Sequence, residues 1–163
     1  MHLLGYSDGA IVALHVALSR PDLVRSLVFA AAVFHHDGWL PGVLDGEAPD
    51  FMGDSCGEVS PDGREHWPVV VAKLDVLHST SPTLTVKNLA TLTVPTLVIL
   101  GDDDEVQFEH AVAMYRALPD GELAVMPRAT HGLAVEKPVL FARLIRDFHS
   151  LDKTNGFAPI RRA

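Results

Sequence analysis

Apolar positions along the chain fall into short runs separated by polar punctuation. Residues 2–6 (HLLGY) read as the end of a buried strand. Residues 8–19 then form a helical pattern that is apolar nearly all round, with Ile11, Val12, Leu14, Val16 and Leu18 set among Ala10, Ala13 and Ala17. Such a helix belongs under other structure rather than on a surface. Arg20-Pro21 ends it, because the residue before proline is pushed out of the helical region. Val24 to Phe34 contains an unbroken apolar run from Leu27 onward. That is the mark of a strand buried on both faces, and hence of a parallel sheet.

From His35 to Leu92 glycine, proline and aspartate become frequent and the periodicity weakens. Glu65 to His78 predicts a helix, and Thr85 is placed to cap a short one running through Leu92. The strand pattern returns at Pro95–Leu100 and stops at Gly101-Asp102-Asp103-Asp104. A helix is predicted over 108–118, a short strand over 122–126, and a last helix over 137–151, with residues after Asp152 as a frayed tail. The order calls for an α/β architecture with a mainly parallel sheet. Residues 1–34 and 93–152 are read as the core, 35–92 as a cap inserted between two of its strands, and 153–163 as the tail.

Composition narrows the partners. With 163 residues and 48% hydrophobic content, the chain can bury a domain-sized core. A formal net charge of −8 argues against nucleic acid or an anionic membrane as a partner. The longest apolar stretch, Leu27–Phe34, is too short to span a bilayer. Cys56 stands alone and cannot form an internal disulfide, so a reducing cytoplasm is the expected compartment, and the first residues lack signal-peptide architecture.

The candidate chemistry begins at Gly5-Tyr6-Ser7-Asp8-Gly9, a G-x-S-x-G between the first strand and the first helix. Such a turn exposes its serine as a nucleophile, and flanking glycines are expected at Gly5 and Gly9 because side chains there would collide with nearby backbone. The Asp8 N–H, at the helix start, is suited to receive an oxyanion. A serine hydroxyl needs a base, and the base needs an orienting acid. Carboxylates follow the strand ending at Gly101, and His131-Gly132 follows the strand over 122–126. Serine, carboxylate and histidine are thus supplied by three strand ends at the edge where catalytic groups of open α/β sheets collect.

The stretches "LLGYSDGAIVALHVALSRPDLVRSLVF", "VPTLVILGDDDEV" and "MPRATHGLAVEKPVLFARLIRDF" together resemble the α/β-hydrolase superfamily, in particular its cap-bearing bacterial esterase, haloperoxidase-like and C–C-bond-hydrolase members. The resemblance runs from Leu3 to about Leu151. It implies Ser7 as nucleophile, Asp104 as acid with Asp103 as runner-up, and His131 as base. It implies hydrolysis of a small ester-like carbonyl substrate without a cofactor. A complete member has further strands and helices before the elbow, including the loop that gives a second oxyanion donor. The resemblance therefore implies an N-terminally truncated chain, with an uncovered strand edge through which a second copy could pair. An inactive fragment that self-associates by that edge is the rival expectation.

Other signals are weaker. Gly53-Asp54-Ser55-Cys56-Gly57 repeats G-x-S-x-G, without a buried strand before it or a helix immediately after. His35-His36-Asp37 suggests metal ligands, yet adjacent histidines are expected to diverge and no third ligand is evident, so no metal is expected. Trp39, Phe51 and Trp67 are candidates for a substrate pocket under the cap, with packing of the cap as the alternative.

Overall fold

The computed structural model describes residues 1–45 and 49–150. Among these residues four strands, β1 (His2–Tyr6), β2 (Ser26–Ala30), β3 (Thr96–Asp103) and β4 (Gly121–Thr130), form one sheet in that order. All three pairings are parallel. Helix α1 (Asp8–Ser19) connects β1 to β2, and α5 (Phe108–Ala117) connects β3 to β4. After β4 come a short helix α6 (Leu133–Glu136) and a longer α7 (Pro138–Ser150).

The alternation of side chains along a strand divides the core into two layers. Leu27, Phe29, Val98 and Leu100 pack with Ala10, Leu14 and Met114 of α1 and α5. Val28, Ala30, Leu97 and Ile99 pack on the other face with Met126, Leu133 and Phe148. Both faces of β2 are filled, which is why its run reads as continuously apolar. That run overshoots the strand. The chain leaves the sheet at Ala31, where φ is 50°, while Ala31 to Phe34 stay buried as irregular chain.

Among the described residues of 35–92 are three α-helices, α2 (Asp50–Val59), α3 (Trp67–Thr80) and α4 (Val86–Leu89), and two 3₁₀ turns. Thr85 caps α4 reciprocally with Asn88, as its position suggested, but the helix closes at Leu89. Helix α2 is a departure from expectation: Gly53, Asp54, Ser55 and Gly57 are poor helix formers, yet they lie inside it. The second G-x-S-x-G is therefore in mid-helix, with Ser55 exposed, and is no strand–helix elbow. Helix α3 buries no residue deeply. Its His78 Nε2 lies 2.9 Å from Asp8 Oδ1 at the start of α1, tying this segment to the core.

One expectation about α1 needs correcting. Its bounds match, but it is not covered on all sides. Ala10, Ala13, Leu14 and Ala17 are buried, whereas Val12 is 63% exposed. The reason is its neighbour: β1 pairs only with β2 among the described residues, so one edge of β1 is open and Leu4 is 50% exposed. The tail assigned to 153–163 lies outside the described residues, as does Leu151. Among the described residues no helix is long and apolar enough to cross a membrane.

A half-buried histidine gives the fold a pH signature. The His110 ring of α5 stacks on Phe34 at 3.9 Å, and its Nε2 accepts the Phe34 N–H at 3.1 Å. Burial, reinforced by the nearby His35, pushes its pKa down to about 4. Between the ordinary histidine value and about 4, the unfolded chain takes up a proton that the native state refuses. Stability should therefore fall as pH drops through that window, by at most about 1.4 kcal/mol per pH unit. Denaturant titrations at both ends of the window test this: wild type should lose more stability than His110→Gln, and equal losses would remove His110 as the source.

Candidate active site

The C-terminal ends of β1, β3 and β4 converge on one edge of the sheet. Ser7 follows β1 directly, in the left-handed region at φ 52° and ψ −128°. Its N–H donates to Ala30 O at 3.0 Å and its carbonyl accepts from Ala10 N–H at 2.8 Å, so the strained turn is held on both sides. Gly5 makes that turn possible. A Cβ there would stand 2.3 Å from Ala10 Cα and 2.4 Å from Gly9 O. Gly9 is a correction: a Cβ would meet nothing within 4 Å, so the close approach expected at both glycines exists only at the first.

The candidate acid, Asp104, directly follows β3. Asp104 Oδ2 accepts the Gly101 N–H at 3.1 Å, while Oδ1 accepts the Glu105 N–H at 2.8 Å. The same Oδ1 lies 2.9 Å from His131 Nδ1, and the Asp104 side chain is 0% exposed. The other two aspartates differ. Asp102 Oδ1 accepts the Ala129 N–H at 3.1 Å and so pins the end of β4 to β3. Amides of Arg128 and Ala129 hold the Asp102 carboxyl below the usual carboxylate range. Asp103 is exposed. The carboxylate that meets His131 is that of Asp104.

His131 follows β4, and its loop is fixed by side chains. Glu136 accepts the Thr130 N–H at 2.9 Å and the Thr130 hydroxyl at 2.6 Å. The Thr130 hydroxyl oxygen in turn accepts the Gly132 N–H at 3.1 Å. The Tyr6 hydroxyl donates to the His131 carbonyl. With its backbone so held, the imidazole presents Nε2 at 3.0 Å from Ser7 Oγ. Burial alone would lower the His131 pKa. The Asp104 hydrogen bond, with the charges of Asp104, Glu105 and Asp8, outweighs burial and leaves it above the ordinary histidine value.

The geometry joins a serine hydroxyl, an imidazole and a buried carboxylate in one hydrogen-bonded chain. A family model described as "Alpha/beta hydrolase family" matches residues 2–144. The chain belongs to the alpha/beta hydrolase family.

Solved structures agree with this alpha/beta hydrolase assignment. A serine hydrolase involved in carbazole degradation (the CarC enzyme) superposes with a TM-score of 0.69 at 23% identity, over 91% of this chain and 63% of that one. A thermophilic esterase gives a TM-score of 0.66 at 27% identity, over 90% of this chain and 64% of that one. A putative non-heme bromoperoxidase, BpoC, from Mycobacterium tuberculosis H37Rv gives 0.65 at 19% identity, over 91% of this chain and 66% of that one. This hydrolase-family chain thus spans less than two thirds of the length of these relatives. No curated protein matches it.

The remaining candidates fall in different places. Asp8 is the first residue of α1, where backbone N–H groups lack intrahelical partners. Its carboxylate meets His78, a contact that sequence spacing alone does not reveal. Trp39 is buried, and its ring meets those of His131 at 6.1 Å and His78 at 6.3 Å, both edge-on. Phe51 and Trp67 are not brought to Ser7. Phe51 is exposed on α2, and Trp67 packs by Gly53 and lines a separate cavity between α2 and α3. A larger cavity, about 560 Å³, begins at Asp8 and follows α1 past Ile11, Val12 and Val16, with Leu77 and His78 on its far wall. Glu136, invisible as a site residue in the sequence, is signalled only by its place after His131-Gly132 and before Pro138.

Proposed function

We propose that the chain is a serine hydrolase acting on small ester-like carbonyl compounds, with Ser7, His131 and Asp104 as nucleophile, base and acid. The observation that carries this reading is the continuous chain from Ser7 Oγ to His131 Nε2 at 3.0 Å and from His131 Nδ1 to Asp104 at 2.9 Å. Ser7 Oγ attacks the carbonyl carbon while its proton passes to His131 Nε2. The buried Asp104 carboxylate holds the imidazolium formed. The developing oxyanion is received by the Asp8 N–H at the positive end of α1. His131 then gives its proton to the leaving group. A water molecule, deprotonated by the same nitrogen, releases the acyl group from Ser7. These steps call for no cofactor.

Residues 1–34 and 93–152 serve in this reading as the core, and 35–92 as a cap that supplies Trp39 and His78 beside the site. The apolar cavity along α1 supports a substrate with an apolar group next to its carbonyl, lying on Ile11, Val12 and Leu77. A second reading rests on another observation. The open edge of β1, with exposed Leu4 and Val12 beside it, is a surface for pairing with a second copy. In that reading the chain is catalytically silent and associates with itself.

Treatment of the folded protein with a fluorophosphonate, followed by peptide mass analysis, separates the two. The expected result is one adduct on the peptide bearing Ser7, absent from Ser7→Ala. Folded wild-type protein that takes no adduct would overturn the hydrolase reading and leave the second.

A further inference from the structure

We propose that His35, His36 and Asp37 form a binding site for one divalent transition-metal ion of the zinc class. The site is distinct from the triad and does not depend on the hydrolase reading. A one-turn 3₁₀ helix, His36–Gly38, follows the exit of the chain from the sheet. The expectation that adjacent histidines diverge fails here, because the turn brings the two rings face to face at 4.5 Å and 27°. The Asp37 carboxylate lies across both. Oδ2 is 3.4 Å from His35 Nδ1 and Oδ1 is 3.2 Å from His36 Nδ1. Asp37, already part of the sequence candidate, thus offers a carboxylate oxygen beside each imidazole.

These separations suit an ion. Zinc bonds to nitrogen and oxygen of about 2.0–2.2 Å at tetrahedral angles place ligand atoms about 3.3 Å apart. All three donor atoms lie within 4.8 Å of one another, and no other group of three histidines, cysteines or carboxylates does so among the described residues. The donor set, two imidazoles and one carboxylate, favours zinc, nickel or copper over magnesium or calcium.

The turn is also held ready. His36 N–H donates to Pro82 O at 2.7 Å, and Gly38 N–H donates to His35 O at 2.9 Å. The Gln107 side-chain amide donates to both Asp37 O and Trp39 O at 2.8 Å, and Gln107 N–H donates to Gly38 O at 2.8 Å. An ion would displace one weak contact, the 3.3 Å bond from Asp37 N–H to His35 Nδ1. The side chains are solvent-accessible, so an ion can enter and water can complete its shell without opening the fold. Bound there, it would fasten the segment that leads into Trp39.

The test is calorimetric titration of untagged full chain with Zn²⁺, paired with thermal unfolding. Expected are saturation at one ion per chain, a raised melting temperature, and no competition from equimolar Mg²⁺. His36→Ala and the near-isosteric Asp37→Asn should each weaken binding severalfold, with unchanged melting in the absence of zinc. His66→Ala should bind as wild type. No saturable binding, or binding unaltered in both variants, would overturn the proposal. If one variant melts early without zinc, the other decides.

Discussion

Asp104→Asn is expected to slow fluorophosphonate labelling of Ser7 by roughly ten-thousand-fold, with the fold retained. Asp104 accepts three hydrogen bonds, from Gly101 N–H, Glu105 N–H and His131 Nδ1. Both carboxylate oxygens are engaged, so an asparagine sets its NH₂ against a donor wherever it lies, and the loss is greatest where that NH₂ faces His131. Nδ1 then has to accept, so the ring proton moves to Nε2 and points at Ser7 Oγ. An imidazole in that tautomer has no lone pair for the serine proton. The pH profile distinguishes this from a loss of charge alone. In wild type, labelling should rise with pH as His131 deprotonates, with a midpoint above the ordinary histidine value, because nearby carboxylates outweigh burial. In Asp104→Asn the rate should stay low across the same range, since deprotonation does not restore the tautomer. Labelling rates against pH supply the measurement, and Asp103→Asn is the control because Asp103 is exposed. An equal loss in that control would sink the assignment of the acid.

Gly101→Ala is expected to destabilise the protein by more than about 4 kcal/mol, beyond the range of ordinary substitutions. A Cβ at Gly101 would lie 1.9 Å from Ala129 O and 2.6 Å from Ala129 C. Both atoms belong to the backbone of β4, so no side-chain rotation relieves the clash. Relief requires prising β4 from β3 at the irregularity between Gly101 and Asp103. That separation also breaks the Ala129 N–H bond to Asp102 and shifts the loop carrying His131. Set against a typical total of about 5–15 kcal/mol, much of the population would unfold. Denaturant midpoints for Gly101→Ala beside Gly9→Ala check the reasoning. At Gly9 the added methyl meets open space and sits in a helix, where alanine is favoured, so stability should hold or rise. A Gly101→Ala protein as stable as wild type would mean that β3 and β4 do not approach as described.

The elements were legible where the chain leaves a strong local mark, although the burial expected of β1 and α1 is only partial. Residues 2–6 and 8–19 match β1 and α1 because an apolar strand, a tight turn and a proline stop each leave a local mark. Legibility failed where burial and backbone part company. Ala31 to Phe34 stay buried after the strand has ended, since a positive φ at Ala31 is set by the fold and not by composition. Helix α2 was hidden because tertiary contacts override its glycines: Gly53 and Gly57 admit the Arg64 and Trp67 side chains at close range. For the candidate site, strand ends in chain order brought Ser7, the aspartates at 102–104 and His131 to one edge, and the family resemblance singled out Asp104 among them. The contacts around them were not, because Asp8 with His78, and Glu136 with Thr130, are fixed by side-chain reach across loops.

The pairing of the strands has a consequence for the order of assembly. β1 and β2 close within residues 2–30, and β3 and β4 within 96–130, each pair around its own helix. Joining them means bringing Leu27 beside Thr96 across the whole of the intervening segment, the most costly loop closure in the sheet. Ser7 belongs to the first unit, and Asp104 and His131 to the second. The three side chains thus meet only when the halves dock, so in the proposed reading labelling of Ser7 would report that docking.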